Sequence, residues 1–229
     1  MFDCKCKINN LSDGGVNMSI QINNVITPSA EQWKNVILGA RNPLNSWEKS
    51  DSVILDGLFV LGKNDENLMK KLCKAGPDHR KFMRMLPVQC NIVAPLFWVA
   101  EHDTYKIGTT RNSCSFMHKG VSKPFSLEDF SIENGAESEL LKIINTLNFL
   151  RENYLKNKDI KIFRMIRELL PQGYNVKYTW CANYEVLYNI YYARKNHRLE
   201  EWKNFCDWIE ALPHFKEIVL GEENNDVFL

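Results

Sequence analysis

The sequence lacks an excess of charge of either sign, and it lacks a long apolar run. Its 229 residues include 29 Lys and Arg against 28 Asp and Glu, which gives a formal net charge of +1. General binders of nucleic acid or of anionic membranes carry a basic excess, so we expect neither partner. There is no run of about 18 apolar residues and no apolar h-region at the start, so neither a transmembrane helix nor a secretory signal is predicted.

Paired cysteines are also missing. The seven cysteines are odd in number and form no Cys-x-x-Cys pair. Cys4 and Cys6 are too close together for a usual zinc pair, and Cys114 with His118 lacks a second pair of ligands at suitable spacing. We therefore expect no metal site. A reduced, cytoplasmic protein fits this cysteine usage best.

The spacing of apolar residues predicts both helices and strands, and hence an α+β fold. Ser29-Ala-Glu-Gln32 has the pattern of a capping box, so a helix is expected to begin there and to end at Asn42-Pro43. Asp159 and Asn183 are also expected to cap helices. Strands are predicted over 85–93 and 176–182, with a helix as the alternative for 176–182. Further helices are predicted over 68–74, from Pro95 onward, over 138–154 and around 199–212.

These elements favour a single domain with a central antiparallel or mixed sheet and flanking helices. The domain is predicted over 18–220, between a loose polar arm over 1–17 and an acidic tail over 221–229. At roughly 150 residues per domain, the chain length corresponds to about one and a half domains, so one domain is the default. No internal repeat or low-complexity linker interrupts the sequence.

The stretch 101–119 differs in amino-acid composition from its surroundings. It is polar, rich in hydroxyls and almost free of aliphatic residues, and it follows a predicted core helix. Loops in such positions often carry binding or catalytic residues. Ser113, Cys114 and Ser115 lie near His118 and leave a nucleophilic hydrolase open, although no Gly-x-Ser-x-Gly elbow surrounds them.

Three arginines are candidate phosphate ligands. Arg164 and Arg167 lie three residues apart on one predicted helix, and Arg194 lies near the end of the helix that begins at Asn183. A guanidinium group matches the oxygens of a phosphate and can donate to two of them at once. Surface salt bridges are the other interpretation of these residues.

Several of these residues form a spaced pattern from about His79 to Trp202. Arg167-Glu-Leu-Leu-Pro171 is followed by Asn183-x-x-x-Leu187-x-Asn189 and then by Arg194. Upstream, His79 precedes Ala94-Pro95. In these features the chain resembles the flavin-dependent thymidylate synthases, which have the motifs Arg-x-x-x-Pro and Asn-x-x-x-Leu-x-Asn followed by an Arg.

The resemblance is weaker in the family's flavin motif, Arg-His-Arg-x-x-Ser-x-Asn-Glu-x-Ser-x-Arg. The corresponding stretch here runs from Thr104 to Met117, with one inserted residue. Lys106 keeps the charge of the second Arg, Thr109 keeps a hydroxyl, and Asn112 and Ser115 are retained. The first Arg, the His, the Glu and the last Arg are replaced by Thr104, Tyr105, Ser113 and either Met117 or His118.

The resemblance implies an α+β fold of the thymidylate synthase complementing type, an FAD cofactor and a pyrimidine deoxynucleotide, dUMP, as substrate. It also implies a homotetramer. The reaction that it implies takes a carbon from methylenetetrahydrofolate and a hydride from NADPH. Nucleotide-binding positions map onto Arg167, Arg194, Ser115 and His118, and Ser115 is the candidate catalytic residue that polarises the pyrimidine. Flavin-binding positions map onto His79, Lys106, Thr109, Asn112, Asn183 and Asn189.

The substitutions leave two functions to be distinguished. The first is a divergent thymidylate synthase-like methyltransferase that binds FAD and dUMP. The second is a catalytically inactive homologue that senses a nucleotide or binds another protein. Glu185 favours the second, because it stands where the family usually has an Arg that faces the flavin. The retained Arg167, Arg194 and Asn189 favour the first.

Overall fold

The computed structural model describes residues 20–221, so the predicted arm over 1–17 and all but Gly221 of the predicted tail lie outside the described residues. Contacts divide the chain into two compact units. The larger unit comprises residues 20–115 and 176–221, and the smaller comprises residues 116–175. The single domain over 18–220 stays a prediction.

Residues 20–221 contain both helices and strands, which confirms the α+β fold class. None of the helices in these residues is long and apolar enough to cross a bilayer. The strands are β1 (Gln21–Ile26), β2 (Val53–Leu55), β3 (Leu58–Val60), β4 (Pro87–Pro95), β5 (Thr110–Ser113) and β6 (Asn175–Asn183). The α-helices are α1 (Ala30–Ala40), α2 (Lys63–Lys74), α3 (Leu96–His102), α4 (Phe116–Lys119), α5 (Glu137–Asn157), α6 (Ile160–Leu169), α7 (Tyr184–Arg194) and α8 (Glu200–Glu210).

A four-stranded sheet with the strand order β1-β4-β6-β5 organises the larger unit. β1 pairs antiparallel with β4, and β5 pairs antiparallel with β6. Alternate residues of β4 are buried, as expected for a strand with one face on the core. The predicted strands over 85–93 and 176–182 correspond to β4 and β6. β1 is not predicted, because Asn23 and Asn24 interrupt its short alternation of apolar residues.

Local capping explains the helices that sequence predicts well. The Ser29 hydroxyl accepts a hydrogen bond from the backbone N–H of Gln32 at 3.2 Å, and the Gln32 side chain accepts one from the Ser29 N–H at 2.8 Å. This is the predicted capping box of α1. Asn183 accepts from the Val186 N–H at 3.1 Å at the start of α7, and Asp159 caps α6 from the Lys161 N–H at 2.9 Å. These caps are confirmed.

Helix α2 begins at Lys63 rather than at the predicted Leu68. The Asp51 carboxylate accepts hydrogen bonds from the backbone N–H groups of Asn64 and Asp65, at 2.8 and 3.1 Å. These bonds satisfy donors that a helix leaves unpaired in its first turn. The cap comes from a residue outside the helix, so the local sequence pattern places the start too late.

The predicted loop over 101–119 contains regular structure. It includes the end of α3, strand β5 and the short helix α4. β5 consists of polar residues, and it is a strand because it pairs with β6, where Arg111 lies opposite Trp180 and Ser113 lies opposite Tyr178. A polar sequence carries no period-two signal, so only the pairing partner reveals this strand.

Aromatic side chains dominate the core of the larger unit. Phe205 is fully buried, and its ring centroid lies 5.2–6.0 Å from those of its aromatic neighbours, among them Trp98 at 5.4 Å and Trp208 at 5.2 Å. Trp98 and Trp202 are also fully buried, with ring centroids 4.8 Å apart. Helices α3 and α8 supply these rings, so their packing places the end of α3, where the polar stretch begins.

The smaller unit has its own apolar core between α5 and α6. The predicted helix over 138–154 lies within α5, and Leu140, Ile144 and Leu147 are buried. Phe163 and Ile166 of α6 belong to the same cluster, as do Val121, Phe125 and Phe130. Helix α6 ends at Leu169, ahead of Pro171, as expected for a residue that removes a helix hydrogen bond.

Candidate functional site

A cavity of about 260 Å³ lies in the larger unit where α3 leads into β5. Its lining combines two aromatic rings, two cationic side chains, a hydroxyl, a carboxylate and an imidazole. The lining residues are His102, Asp103, Tyr105, Lys106, Thr109, Arg111 and Trp180. All of them except Trp180 belong to the polar stretch 101–119, and Trp180 is brought there by the pairing of β6 with β5.

Arg111 is held at the cavity by three contacts. Its guanidinium donates to the Asp103 carboxylate, and its Nε donates to the Ser113 Oγ at 2.6 Å. Its guanidinium carbon also lies 4.2 Å from the centroid of the Tyr178 ring, a cation–π distance. Lys106 is exposed, and within residues 20–221 no carboxylate pairs with its ammonium group. The cavity therefore presents one immobilised cation and one available cation.

The turn between α3 and β5 is stabilised by a hydrogen bond from Thr109 and by the backbone conformation of Gly108. The Thr109 Oγ1 donates to the Tyr105 carbonyl at 2.9 Å. Gly108 has φ +77°, a conformation that favours glycine. A Cβ at this position would lie 3.2 Å from both the Asn183 Nδ2 and the Val186 Cγ2. The turn that carries Lys106 and Thr109 therefore lies close to the start of α7, where Asn183 is located.

His102 is a buried, neutral imidazole in the lining of the cavity. Its ring stacks on Trp98 with centroids 4.7 Å apart, and its Nδ1 is 3.2 Å from the Tyr178 hydroxyl. Burial lowers the pKa of His102 to about 3, and the positive charge of Arg111 acts in the same direction. The imidazole is therefore uncharged at neutral pH, and it cannot act there as a cationic ligand for a phosphate.

We expect the stability of the protein to fall as the pH is lowered from about 6.5 to 3. In this range the unfolded chain protonates His102, whose ordinary pKa is near 6.5, whereas the folded chain does not until pH 3. The contribution is full above pH 6.5 and is lost by up to about 1.4 kcal/mol per pH unit below it. Urea unfolding of the wild type and of His102→Phe at pH 7 and pH 5 measures this contribution. The same pH dependence in both proteins would contradict it.

Arg194, a predicted nucleotide ligand, is bound to side chains of its own unit. Its Nη1 donates to the Glu101 Oε2 at 2.7 Å, and its Nε donates to the Tyr105 hydroxyl at 2.8 Å. The guanidinium carbon lies 4.6 Å from the centroid of Trp202. The Glu101 Oε2 also accepts a hydrogen bond from the Trp202 Nε1 at 2.9 Å and lies 3.5 Å from the His197 Nε2.

The other predicted nucleotide-binding residues are exposed, except His118, whose side chain is not among those that the structure describes. In the smaller unit, Arg167 is exposed on α6, and its Nη1 is 3.6 Å from the Met117 Sδ. Ser115 is exposed and lies between β5 and α4. The side chain of His118 lies outside the described residues. Arg164 is exposed as well.

Two solved structures of flavin-dependent thymidylate synthase ThyX from Helicobacter pylori, each with FAD and dUMP, resemble this chain. The first has a TM-score of 0.64 and 15% sequence identity, and the match covers 88% of this chain and 98% of that chain. The second has the same TM-score and identity, with coverages of 89% and 97%. The chain has the fold of the flavin-dependent thymidylate synthases. The resemblance predicted from sequence is thus confirmed for the fold, although no protein-family model and no curated protein matches the chain.

Within this thymidylate synthase fold, the predicted flavin residues are only partly brought together. Lys106 and Thr109 line the cavity, and Asn183 lies against the turn that carries them. Asn112 is exposed on β5 and is not a lining residue. His79 and Asn189 are exposed and do not line the cavity either.

The carboxylate of Glu185 is paired with two arginines of the larger unit. Arg84 donates to it with two nitrogens, one of them at 3.2 Å, and the Arg80 Nε is 3.5 Å from it. Both arginines lie in a short 3-10 helix over Arg80–Met85 that follows His79. Their proximity to Glu185 depends on tertiary packing, and no local motif indicates it.

A metal site is not formed by the described side chains. Within residues 20–221, with the side chain of His118 left aside, no three His, Cys, Asp or Glu side chains are grouped so that they could hold a metal ion. Cys114 is exposed and forms no disulfide with another described cysteine.

Proposed function

We propose that this chain binds FAD and a pyrimidine deoxynucleotide, dUMP, as a divergent protein of the flavin-dependent thymidylate synthase type. The cavity beside β5 carries this proposal, because it combines the Lys106 and Arg111 cations with the rings of Tyr105 and Trp180. A flavin dinucleotide needs these two features, since it has an aromatic ring system and an anionic diphosphate. The H. pylori structures with the same fold were determined with FAD and dUMP.

The cavity is large enough for only part of FAD. A cavity of about 260 Å³ is smaller than the roughly 300–1,000 Å³ of most small-molecule sites. It can therefore take one portion of FAD while the rest lies outside it. We propose that Lys106 and Thr109 contact the flavin nucleotide directly, and that His79, Asn112, Asn183 and Asn189 contact the remaining portions.

The proposed nucleotide site uses charged and hydroxyl groups. Arg167 and Arg194 would hold the phosphate through charge-assisted hydrogen bonds, and His118 would add a donor. Ser115 would orient the pyrimidine and polarise it, which needs no covalent attack by a side chain. When bound, the flavin supplies hydride chemistry with NADPH as the reductant, and methylenetetrahydrofolate supplies the carbon. A homotetramer and a cytoplasmic location are part of the same proposal.

The alternative function is that of an inactive homologue that senses a nucleotide or acts as a protein-binding scaffold. Two contacts favour it. Glu185 is tied to Arg84 and Arg80, and Arg194 is tied to Glu101. Both contacts use arginines within the protein, which leaves fewer guanidinium groups for an external phosphate.

Visible absorbance of the purified protein tests the proposal. After incubation with FAD and desalting, we expect a retained flavin spectrum, followed by dUMP-dependent oxidation of NADPH if catalysis is retained. Stabilisation by dUMP in a thermal-shift assay without NADPH oxidation would support the sensor. A colourless protein that dUMP does not stabilise would contradict flavin and nucleotide binding together, because a ligand of the folded state raises its stability.

A further inference from the structure

The Glu101 carboxylate lies at the centre of a group of donors that would suit a phosphate. Its Oε2 accepts from the Arg194 Nη1 at 2.7 Å and from the Trp202 indole Nε1 at 2.9 Å. The His197 Nε2 lies 3.5 Å from the same oxygen. A guanidinium, an indole N–H and an imidazole directed at one anionic oxygen form an anion site, and here the anion belongs to the protein.

This donor group is held in place independently of Glu101. Trp202 is fully buried, and the Arg194 guanidinium lies over its ring at 4.6 Å. The Arg194 Nε also donates to the Tyr105 hydroxyl at 2.8 Å. These contacts would keep Arg194 and Trp202 in position if the carboxylate of Glu101 lost its charge or were removed.

We propose that Glu101 competes with the phosphate of the nucleotide for Arg194 and thereby determines specificity at this site. The inference rests on the proposed nucleotide-binding function. To reach Arg194, a phosphate monoester must displace the Glu101 carboxylate and also overcome its negative charge. A nucleoside without phosphate meets neither obstacle. The wild-type chain is therefore expected to prefer dUMP over deoxyuridine less strongly than a chain without the Glu101 charge, even though it carries an arginine suited to phosphate.

Substitution of Glu101 by Gln tests this specificity role. The amide retains a carbonyl acceptor for Trp202 and removes the charge. By isothermal titration calorimetry, we expect Glu101→Gln to bind dUMP up to about fivefold more tightly than the wild type, since a partly exposed ion pair contributes up to about 1 kcal/mol. Deoxyuridine affinity should not change. In Glu101→Gln combined with Arg194→Gln, the gain in dUMP affinity should disappear.

Glu139→Gln is the matched control. Glu139 is exposed in α5 of the smaller unit and pairs with Lys142 at 2.7 Å, so its substitution makes the same change in net charge at an exposed position outside the donor group. We expect no change in dUMP affinity. An equal gain in Glu139→Gln would show a general charge effect and would overturn the proposal, as would unchanged or weaker dUMP binding by Glu101→Gln. Glu101→Ala, with thermal unfolding of each variant, covers the case in which the Gln variant is unstable.

Flavin uptake separates a failure of this inference from a failure of the proposed function. If the wild type retains FAD and binds dUMP, but Glu101→Gln binds dUMP no better, the specificity role of Glu101 is wrong and the proposed function stands. If the wild type and Glu101→Gln take up neither FAD nor dUMP, both are wrong.

Discussion

Replacement of both Lys106 and Arg111 by Ala is expected to weaken FAD binding by about a hundredfold or more. Both side chains line the cavity proposed for the flavin, and they are its two cations. A hydrogen bond to a charged group contributes about 1.5–3 kcal/mol. Two such bonds correspond to about two to four orders of magnitude in affinity, at about 1.4 kcal/mol per tenfold. Quenching of FAD fluorescence on titration with protein measures the dissociation constant.

The single variants separate the two cations. Arg111→Ala also removes contacts with Asp103 and Ser113, so part of its effect acts through the geometry of the turn. Lys106→Ala removes an exposed side chain that has no carboxylate partner within residues 20–221, so it isolates the ligand contact. Lys156→Ala combined with Lys161→Ala removes the same charge from exposed positions of the smaller unit. FAD affinity that is equal in this control and in the cavity variant would place the flavin elsewhere.

Replacement of Asp65 by Ala is expected to lower the free energy of unfolding by about 3–5 kcal/mol, because it leaves a buried Arg without its counterion. Asp65 is fully buried, and its Oδ1 accepts from Arg41 at 2.7 and 2.6 Å. Its Oδ2 accepts from the Ser52 hydroxyl at 2.6 Å and from the Ser50 hydroxyl at 2.8 Å. Equilibrium urea unfolding measures the loss as a lower midpoint at constant m-value.

Glu139→Ala provides the comparison for this loss. Its ion pair with Lys142 has both side chains about 70% exposed, so we expect its removal to cost less than about 1 kcal/mol. If Asp65→Ala were no more destabilising than this exposed pair, the network of Asp65 would contribute little to stability.

The hydrogen-bond network around Asp65 also makes the stability of the folded protein depend on pH in the acidic range. Burial on its own would raise the pKa of Asp65, but the hydrogen bonds from Ser52, Ser50 and Arg41 outweigh it and lower the pKa below the ordinary value. A carboxyl with a lowered folded pKa contributes stability above its ordinary pKa, and that contribution is lost as the pH falls through the folded value. The loss for Asp65 therefore occurs at lower pH than the loss for His102.

Sequence patterns predicted the elements whose cause is local. The Ser29 capping box, the Asn183 cap of α7 and the apolar spacing of α5 each depend on residues a few positions apart, and all three are confirmed. The patterns placed the start of α2 too late, because its cap comes from Asp51. They also interpreted β5 as loop, since its polar residues form a strand only by pairing with β6.

The candidate site likewise divides into residues that the sequence indicated and residues that only the tertiary structure brings to it. The resemblance to the motifs of the flavin-dependent thymidylate synthases was enough to indicate their fold and to select Lys106, Thr109 and Asn183. It did not indicate that Trp180 completes the cavity or that Arg80 and Arg84 neutralise Glu185. These residues lie far from their partners in sequence and have no motif of their own.

By itself, the sequence determined the α+β fold class, the main helix caps and the polar stretch that carries the candidate site, because each arises from nearest neighbours or from a fixed spacing along the chain. Only the tertiary structure decided which charges are available to a ligand. Arg194 is bound by Glu101, and Arg111 is held by Asp103, whereas Lys106 has no carboxylate partner in the described part of the chain. The physical reason is that an ion pair depends on distance in space, and residues 93 positions apart, such as Glu101 and Arg194, meet only after the chain has folded.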